Sequence, residues 1–293
     1  MSYGRQLLIE TPQAELLPAI ARGRRLQAVC GDKILWQAQA DGTVVIESIE
    51  PRSSELLRHD KRKGQRLLAA NVDRLLVVMA AKPEPDMALL DCYLVAAENL
   101  GIQASIIFNK HDLLSQAQQQ SWGKQLAPYQ ALNYPLFWCS AKGGDSSGGS
   151  LHELGEHLTG QCGVLVGQSG VGKSSLINRL VPDHSPRTQS LSASIDAGRH
   201  TTTATRLYYL ANRAGQIIDS PGVRDFRLWP MDIHELAQGF REIAPHHGRC
   251  RFNDCQHTSE PGCRVMAAVE DGSISQQRYE SFCRLLEQLG LAR

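Results

Sequence analysis

The run Gly167-Gln168-Ser169-Gly170-Val171-Gly172-Lys173-Ser174, with Ser175 behind it, sets glycines, a lysine and a hydroxyl at the spacing of a phosphate-binding loop. Glycines let backbone N–H groups turn toward phosphate oxygens, and a helix opening at the lysine adds positive potential. Lys173 is expected to reach the β- and γ-phosphates, and the Ser174 hydroxyl to ligate Mg²⁺. Upstream, Asn109-Lys110-His111-Asp112 has the form Asn-Lys-x-Asp, a guanine reader. The Asp112 carboxylate can accept from the N1–H and N2 amino group of guanine together. Adenine lacks that donor pair and would leave a carboxylate unpaired, at a cost of about 1–3 kcal/mol. Asn109 is expected to brace the loop and approach the other edge of the base, and the Lys110 stem to lie over the ring. Ser140-Ala141-Lys142 offers a second base contact, from the Ala141 N–H to guanine O6.

Two further stretches suit a γ-phosphate sensor. Asp219-Ser220-Pro221-Gly222 has the form Asp-x-x-Gly, with Asp219 for the Mg²⁺ shell and the Gly222 N–H for the γ-phosphate. Gly198-Arg199-His200-Thr201-Thr202-Thr203 supplies threonines, Thr201 and Thr202 among them, of which one would ligate Mg²⁺ only with a triphosphate present. Val223 stands where Ras-like GTPases carry a water-orienting glutamine, and valine cannot orient water. His200 is the nearest candidate for that role, with a loop-holding role as the alternative.

Near the end of the chain, Cys250, Cys255, His257 and Cys263 put three thiolates and an imidazole into one short window. A Cys₃His set suits a closed, structural, tetrahedral Zn²⁺ site with no open position for water. His246 and His247 are rival ligands. The remaining cysteines, Cys30, Cys92, Cys139, Cys162 and Cys283, sit in mostly apolar surroundings and read as core residues.

These residues need a scaffold, and the chain supplies its pattern. Leu26 to Trp36 and Thr43 to Ile49 are β-like and suit a small barrel, with a β extension of the following domain as the alternative. From residue 72, the apolar run Arg74 to Ala81 reads as a strand buried on both faces and Ala104 to Phe108 as the next buried strand, with further strands at Leu136 to Ser140 and Cys162 to Val166. Helices are expected from Asp86 to about Leu100, over Leu113 to Ala127 and over Lys173 to Leu180. Gly143 to Ser150 reads as a flexible connection. Further strands are expected at Arg206 to Leu210 and Gln216 to Ile218, then a helix, the cysteine-bearing loop and an amphipathic helix over Gln276 to Leu289. Strand–helix alternation implies a parallel sheet with both faces covered. Its carboxyl edge would collect the phosphate loop and both base readers.

The chain has 293 residues, 42% hydrophobic and 21% charged, with net charge +1. That is room for two or three domains. It is also too neutral for a whole-chain nucleic-acid footprint, so any RNA contact must use a local patch. Arg22/Arg24/Arg25 and Arg58/Lys61/Arg62/Lys63 are the candidates, against a plain solvated basic face, with Trp36 for base stacking. No apolar run is long enough to span a bilayer and the start lacks a secretory pattern, so a cytoplasmic protein is expected.

The base readers precede the phosphate loop, the reverse of the order in Ras-like proteins. With Gly198-Arg199-His200-Thr201-Thr202, Asp219-Ser220-Pro221-Gly222-Val223 and the Cys₃His set, this order resembles the RsgA (YjeQ/EngC) family of circularly permuted GTPases. That resemblance implies a multidomain α/β protein: an N-terminal OB-fold β-barrel (1–60), a circularly permuted Ras-like P-loop GTPase domain (61–230) and a C-terminal helical zinc-binding domain (231–293). It further implies GTP hydrolysis to GDP with Mg²⁺, stimulated by the small ribosomal subunit during late maturation, rRNA binding, one structural Zn²⁺ and a monomer. It matches His200 to the family's switch histidine. A GTP-regulated RNA-binding module, or a paralogue with another RNA client, is the alternative.

Overall fold

The computed structural model describes residues 2–3, 6–23, 26–40, 43–60, 64–142, 148–181, 205–220 and 228–291. The expectations for His200, Thr201, Thr202, Gly222 and Val223, and for the basic residues Arg24, Arg25, Lys61, Arg62 and Lys63, lie outside the described residues.

The N-terminal strands β1 (Ser2–Tyr3), β2 (Gln6–Glu10), β3 (Leu16–Ala21), β4 (Ile34–Ala38) and β5 (Val44–Ile49) form one sheet in the order β1-β2-β3-β5-β4. Its β3–β5 pair is parallel and the rest are antiparallel. The period-two burial of β5 turns Val44 and Ile46 inward, onto Ile9 and Ala19. Trp36 packs half-buried against this small core. The strand expected from Leu26 is shorter, because the Asp32 carboxylate accepts from the Val29 N–H at 2.7 Å and from Arg52 Nε at 2.7 Å, which folds the preceding residues into a turn. A hairpin of β6 (Glu55–Asp60) and β7 (Gly64–Ala70) follows and straddles the division expected at 60/61.

The central sheet has six strands: β8 (Arg74–Ala80), β9 (Gln103–Asn109), β10 (Leu136–Trp138), β11 (Cys162–Val166), β12 (Arg206–Tyr209) and β13 (Gln216–Asp219). Their spatial order is β10-β9-β8-β11-β13-β12, parallel except for the edge strand β12. Every residue of β8 is buried. Leu75, Val77 and Met79 face one core while Leu76, Val78 and Ala80 face the other, as a strand covered on both sides requires.

Helix α1 (Met87–Leu100) is capped by the Asp86 side chain, which accepts from the Leu89 N–H. Helix α2 (Gln116–Ala131) starts later than expected, because Ser115 and Gln118 form a reciprocal capping box; His111–Leu113 is a 3₁₀ turn instead. Helix α3 (Gly148–His157) takes up the end of the stretch expected to be a flexible connection. Helix α4 (Lys173–Leu180) follows β11. The C-terminal part holds α5 (Ile233–Gln238), α6 (Arg264–Glu270) and α7 (Gln276–Gln288).

Helices α5 and α7 dock on α1. Arg278 of α7 is fully buried, pairs with Asp91 of α1, and places Nε 2.6 Å from Glu242 Oε1. Arg241 Nε lies 2.8 Å from Glu98 Oε1, with its guanidinium 3.9 Å over the Tyr134 ring. Burial pushes the Asp91 carboxyl up, and the Arg278 charge opposes that shift.

Candidate nucleotide and metal sites

The carboxyl ends of β9, β10 and β11 bring three loops together. Gly167 and Gly172 hold φ of +130° and +98°, conformations that side chains rarely adopt. A Cβ at Gly167 would sit 2.1 Å from Val78 O, and one at Gly172 would sit 2.3 Å from Asn109 Nδ2. The loop therefore lies against its neighbours as closely as backbone allows. Lys173 opens α4, is 8% exposed, and donates from Nζ to Gly167 O and Gln168 O, both at 2.7 Å. Ser169, Gly170 and Ser174 are exposed, and Ser175 is half-buried.

Asn109, 1% exposed at the end of β9, joins the loops. Its Nδ2 donates to Val171 O at 2.9 Å and its Oδ1 accepts from the Ala141 N–H at 3.1 Å. Asn109 thus ties the phosphate loop to the Ser140–Lys142 loop, and the Ala141 N–H expected to meet a base points here at the Asn109 amide oxygen. Lys110, at φ 61°, stretches to donate to Gly170 O at 2.7 Å and to Lys82 O at 2.8 Å, which aligns its stem along the mouth of the phosphate loop. Ser140 is buried and its Oγ accepts from the Asp112 N–H at 3.0 Å, while Asp112 itself is exposed. His111 rests on Trp138, ring centroids 5.3 Å apart, and Lys142 is exposed. On the far side of β11, Asp219 ends β13, and Thr205 Oγ1 meets Ser220 Oγ at 3.1 Å.

The loop after β8 also belongs to this edge and was not foreseen. Besides the Lys82 carbonyl, Glu84 O accepts from Gln168 Nε2 at 3.2 Å. In the sequence, Pro83 and Pro85 after the apolar run from Arg74 mark no more than the end of a strand. The available signal was positional: the loop leaves the carboxyl end of the strand beside the phosphate-loop strand.

Cys250, Cys255, His257 and Cys263 gather their ligand atoms within 4.8 Å of one another. The Cys250 and Cys263 sulfurs are 3.9 Å apart, and His257 Nδ1 lies 3.4, 3.5 and 3.4 Å from the sulfurs of Cys250, Cys255 and Cys263. A tetrahedral Zn²⁺ with Zn–S of about 2.3 Å and Zn–N of about 2.0 Å needs edges of about 3.8 and 3.5 Å, so the donors fit. Backbone N–H groups of Arg264 and Met266 donate to the Cys250 and Cys263 sulfurs at 3.3 and 3.4 Å. His247 is no ligand in this geometry. Its Nδ1 sits 2.8 Å from His257 Nε2, on the side away from the sulfurs. Burial, with His247 alongside, pushes His257 down to about 4, which keeps its imidazole neutral as a ligand must be. His246 also lies outside the cluster. Elsewhere, Cys30, Cys92, Cys139 and Cys162 are buried core residues, and burial pushes the Cys92 and Cys162 thiols up to about 12.

A phosphate loop between β11 and α4, with a guanine-type reader ending a strand that comes earlier in the chain, defines a P-loop GTPase of permuted order. The RsgA GTPase family model matches residues 49–229. The chain is 43% identical over 291 residues to the small ribosomal subunit biogenesis GTPase RsgA of Hahella chejuensis, covering 98% of this chain and 82% of that one. To the protein of the same name in Haemophilus influenzae it is 41% identical, covering 96% and 81%. Among solved structures, YjeQ from Thermotoga maritima matches with a TM-score of 0.78 at 29% identity, over 99% of this chain and 96% of that one. YloQ, described as a circularly permuted GTPase, matches with a TM-score of 0.74 at 26% identity, over 99% and 93%. The chain belongs to the RsgA GTPase family.

Proposed function

We propose that this chain hydrolyses GTP during maturation of the small ribosomal subunit, with the subunit and its rRNA accelerating turnover. The observation that carries the reading is the Asn109 amide, which links the phosphate loop to both base-reading loops. Asp112 takes the guanine Watson–Crick edge, Lys110 lies along the nucleotide, and Ser140 holds the Asp112 backbone. Ala141 fixes Asn109, and His111 and Lys142 flank the base. Residues 167–172 wrap the phosphates with backbone N–H groups, Lys173 answers the β- and γ-phosphate charge, and Ser175 supports the start of α4. Mg²⁺, held by Ser174 and Asp219, would offset charge between the β- and γ-phosphates. Gly222 and one of Thr201 and Thr202 sense the γ-phosphate, and His200 orients the attacking water in place of the missing glutamine.

The cluster at Cys250, Cys255, His257 and Cys263 holds one structural Zn²⁺, which fixes the loop between α5 and α6. The reading divides the chain into a barrel, a GTPase domain and a zinc-bearing unit. The first division falls after Ala70, since β6 and β7 are one hairpin. Among the described residues no helix is long and apolar enough to cross a membrane. A monomer working in the cytoplasm fits a ribosomal client. The test is the GTPase rate with and without purified small subunits. A rise of tenfold or more is expected. An unchanged rate, with subunits altering only affinity, would replace this reading with a GTP-regulated binding module.

A further inference from the structure

The hairpin of β12 and β13 has one end at the nucleotide site and the other on the N-terminal barrel. At the first end Asp219 pairs in register with Arg206, and the hydroxyls of Thr205 and Ser220 tie the start of β12 to the Asp-x-x-Gly segment. At the other end Arg213 Nη1 lies 2.7 Å from Glu10 Oε1 on β2, with its guanidinium 3.6 Å over the Tyr209 ring. The turn that delivers Arg213 is strained. Asn212 and Arg213 hold φ of 54° and 55°, and such residues persist only where their surroundings over-determine them. A cleft of about 1180 Å³ lies between barrel and hairpin, lined by Ile9, Glu10, Asp32, Tyr209 and Arg213 among others. The contact is therefore a bridge across a gap. β12 is the edge strand of the sheet and all its residues are half-buried, whereas Ile217 and Ile218 of β13 are fully buried. An edge strand bonded on one side can shift without disturbing the parallel core.

We propose that this hairpin is a lever. The phosphate state at Asp219 sets the position of the hairpin tip, and the Glu10–Arg213 pair passes that position to the barrel. The inference rests on Asp219 as the sensor of the magnesium-bound triphosphate. Coupling of this kind is reciprocal: a partner that grips the barrel more tightly in one hairpin position must alter the preference for GTP over GDP. An RNA surface holding the barrel would thus act on a nucleotide site it does not touch.

The test titrates a non-hydrolysable GTP analogue and GDP into the full chain, as wild type, Glu10→Arg, Arg213→Glu and the double charge reversal. Each single variant is expected to change the ratio of the two affinities about two- to fivefold, the reach of a partly exposed pair. The double reversal is expected to restore it. Non-cysteine labels at the exposed positions Leu35 and Lys124 should report a barrel-to-GTPase distance that differs between the two nucleotides in wild type. That difference should shrink in the single variants. If both nucleotides bind yet the distance is the same, or the singles keep the wild-type ratio, or the double reversal restores nothing, the lever is overturned. If neither nucleotide binds the wild type, the nucleotide-site reading fails first and takes the lever with it.

Discussion

The nucleotide edge and the metal cluster solve opposite problems. At the nucleotide edge, polar groups that should meet a ligand have partners inside the protein: Lys173 donates to two loop carbonyls, and the Ala141 N–H serves Asn109. A buried donor left unpaired costs about 1–3 kcal/mol, so a site that must empty and refill is cheaper to keep when its groups can pair among themselves. At the cluster, three sulfurs and a nitrogen stand at coordination distances, with backbone N–H groups and His247 arranged behind them. Nothing there suits a ligand that leaves. The first site is built for exchange and the second for permanence.

The largest test of this contrast removes a ligand from the proposed zinc site. Cys255→Ser should abolish zinc binding, whose apparent free energy in small domains is about 10–16 kcal/mol. Metal content should fall to zero by mass spectrometry and the segment after α5 should become protease-sensitive. Nucleotide affinity should stay within a few-fold, because the two sites share no residue. Next, Arg278→Met leaves Asp91 and Glu242 buried without their cation and should destabilise docking of α7 on α1 by about 3–5 kcal/mol, read by hydrogen exchange along both helices. On the nucleotide side, Gly172→Ala forces a Cβ into the Asn109 amide at an unfavourable φ and should weaken GTP and GDP alike by roughly ten- to a hundredfold. An unchanged affinity would mean the loop need not touch Asn109. The smallest effect is expected of His247→Ala, which removes the acceptor behind His257 and should lower zinc affinity about tenfold in a chelator competition while leaving the metal stoichiometry at one.

Much of both sites was legible because their chemistry depends on short-range spacing. Glycines at 167, 170 and 172, with lysine and serine behind them, define a loop whatever surrounds it. The Cys₃His set lies within one short loop, so its ligands needed no long-range contact to be recognised. Less legible were features made by partners distant in sequence. The sequence leaves His247 as a rival ligand, and only the fold puts it on the second nitrogen of His257. The use of both ends of the Asn109 amide depends on strands whose neighbours come from far along the chain. The pattern starts α2 too early at Leu113, which lies exposed, because the capping box at Ser115 sets the true start. The hairpin of β6 and β7 is hard to read from the sequence because its two strands alternate only weakly.

The central claim is that Asp112 and Lys173, held together through Asn109, address one guanine nucleotide. Binding of guanosine and xanthosine triphosphates to wild type, Asp112→Asn and Lys173→Ala tests it most directly. Wild type should select guanosine. Asp112→Asn should turn that preference toward xanthosine, whose extra carbonyl suits an amide donor, and Lys173→Ala should lose tight binding of both. Unaltered guanosine selectivity in Asp112→Asn, or tight triphosphate binding in Lys173→Ala, would contradict the account.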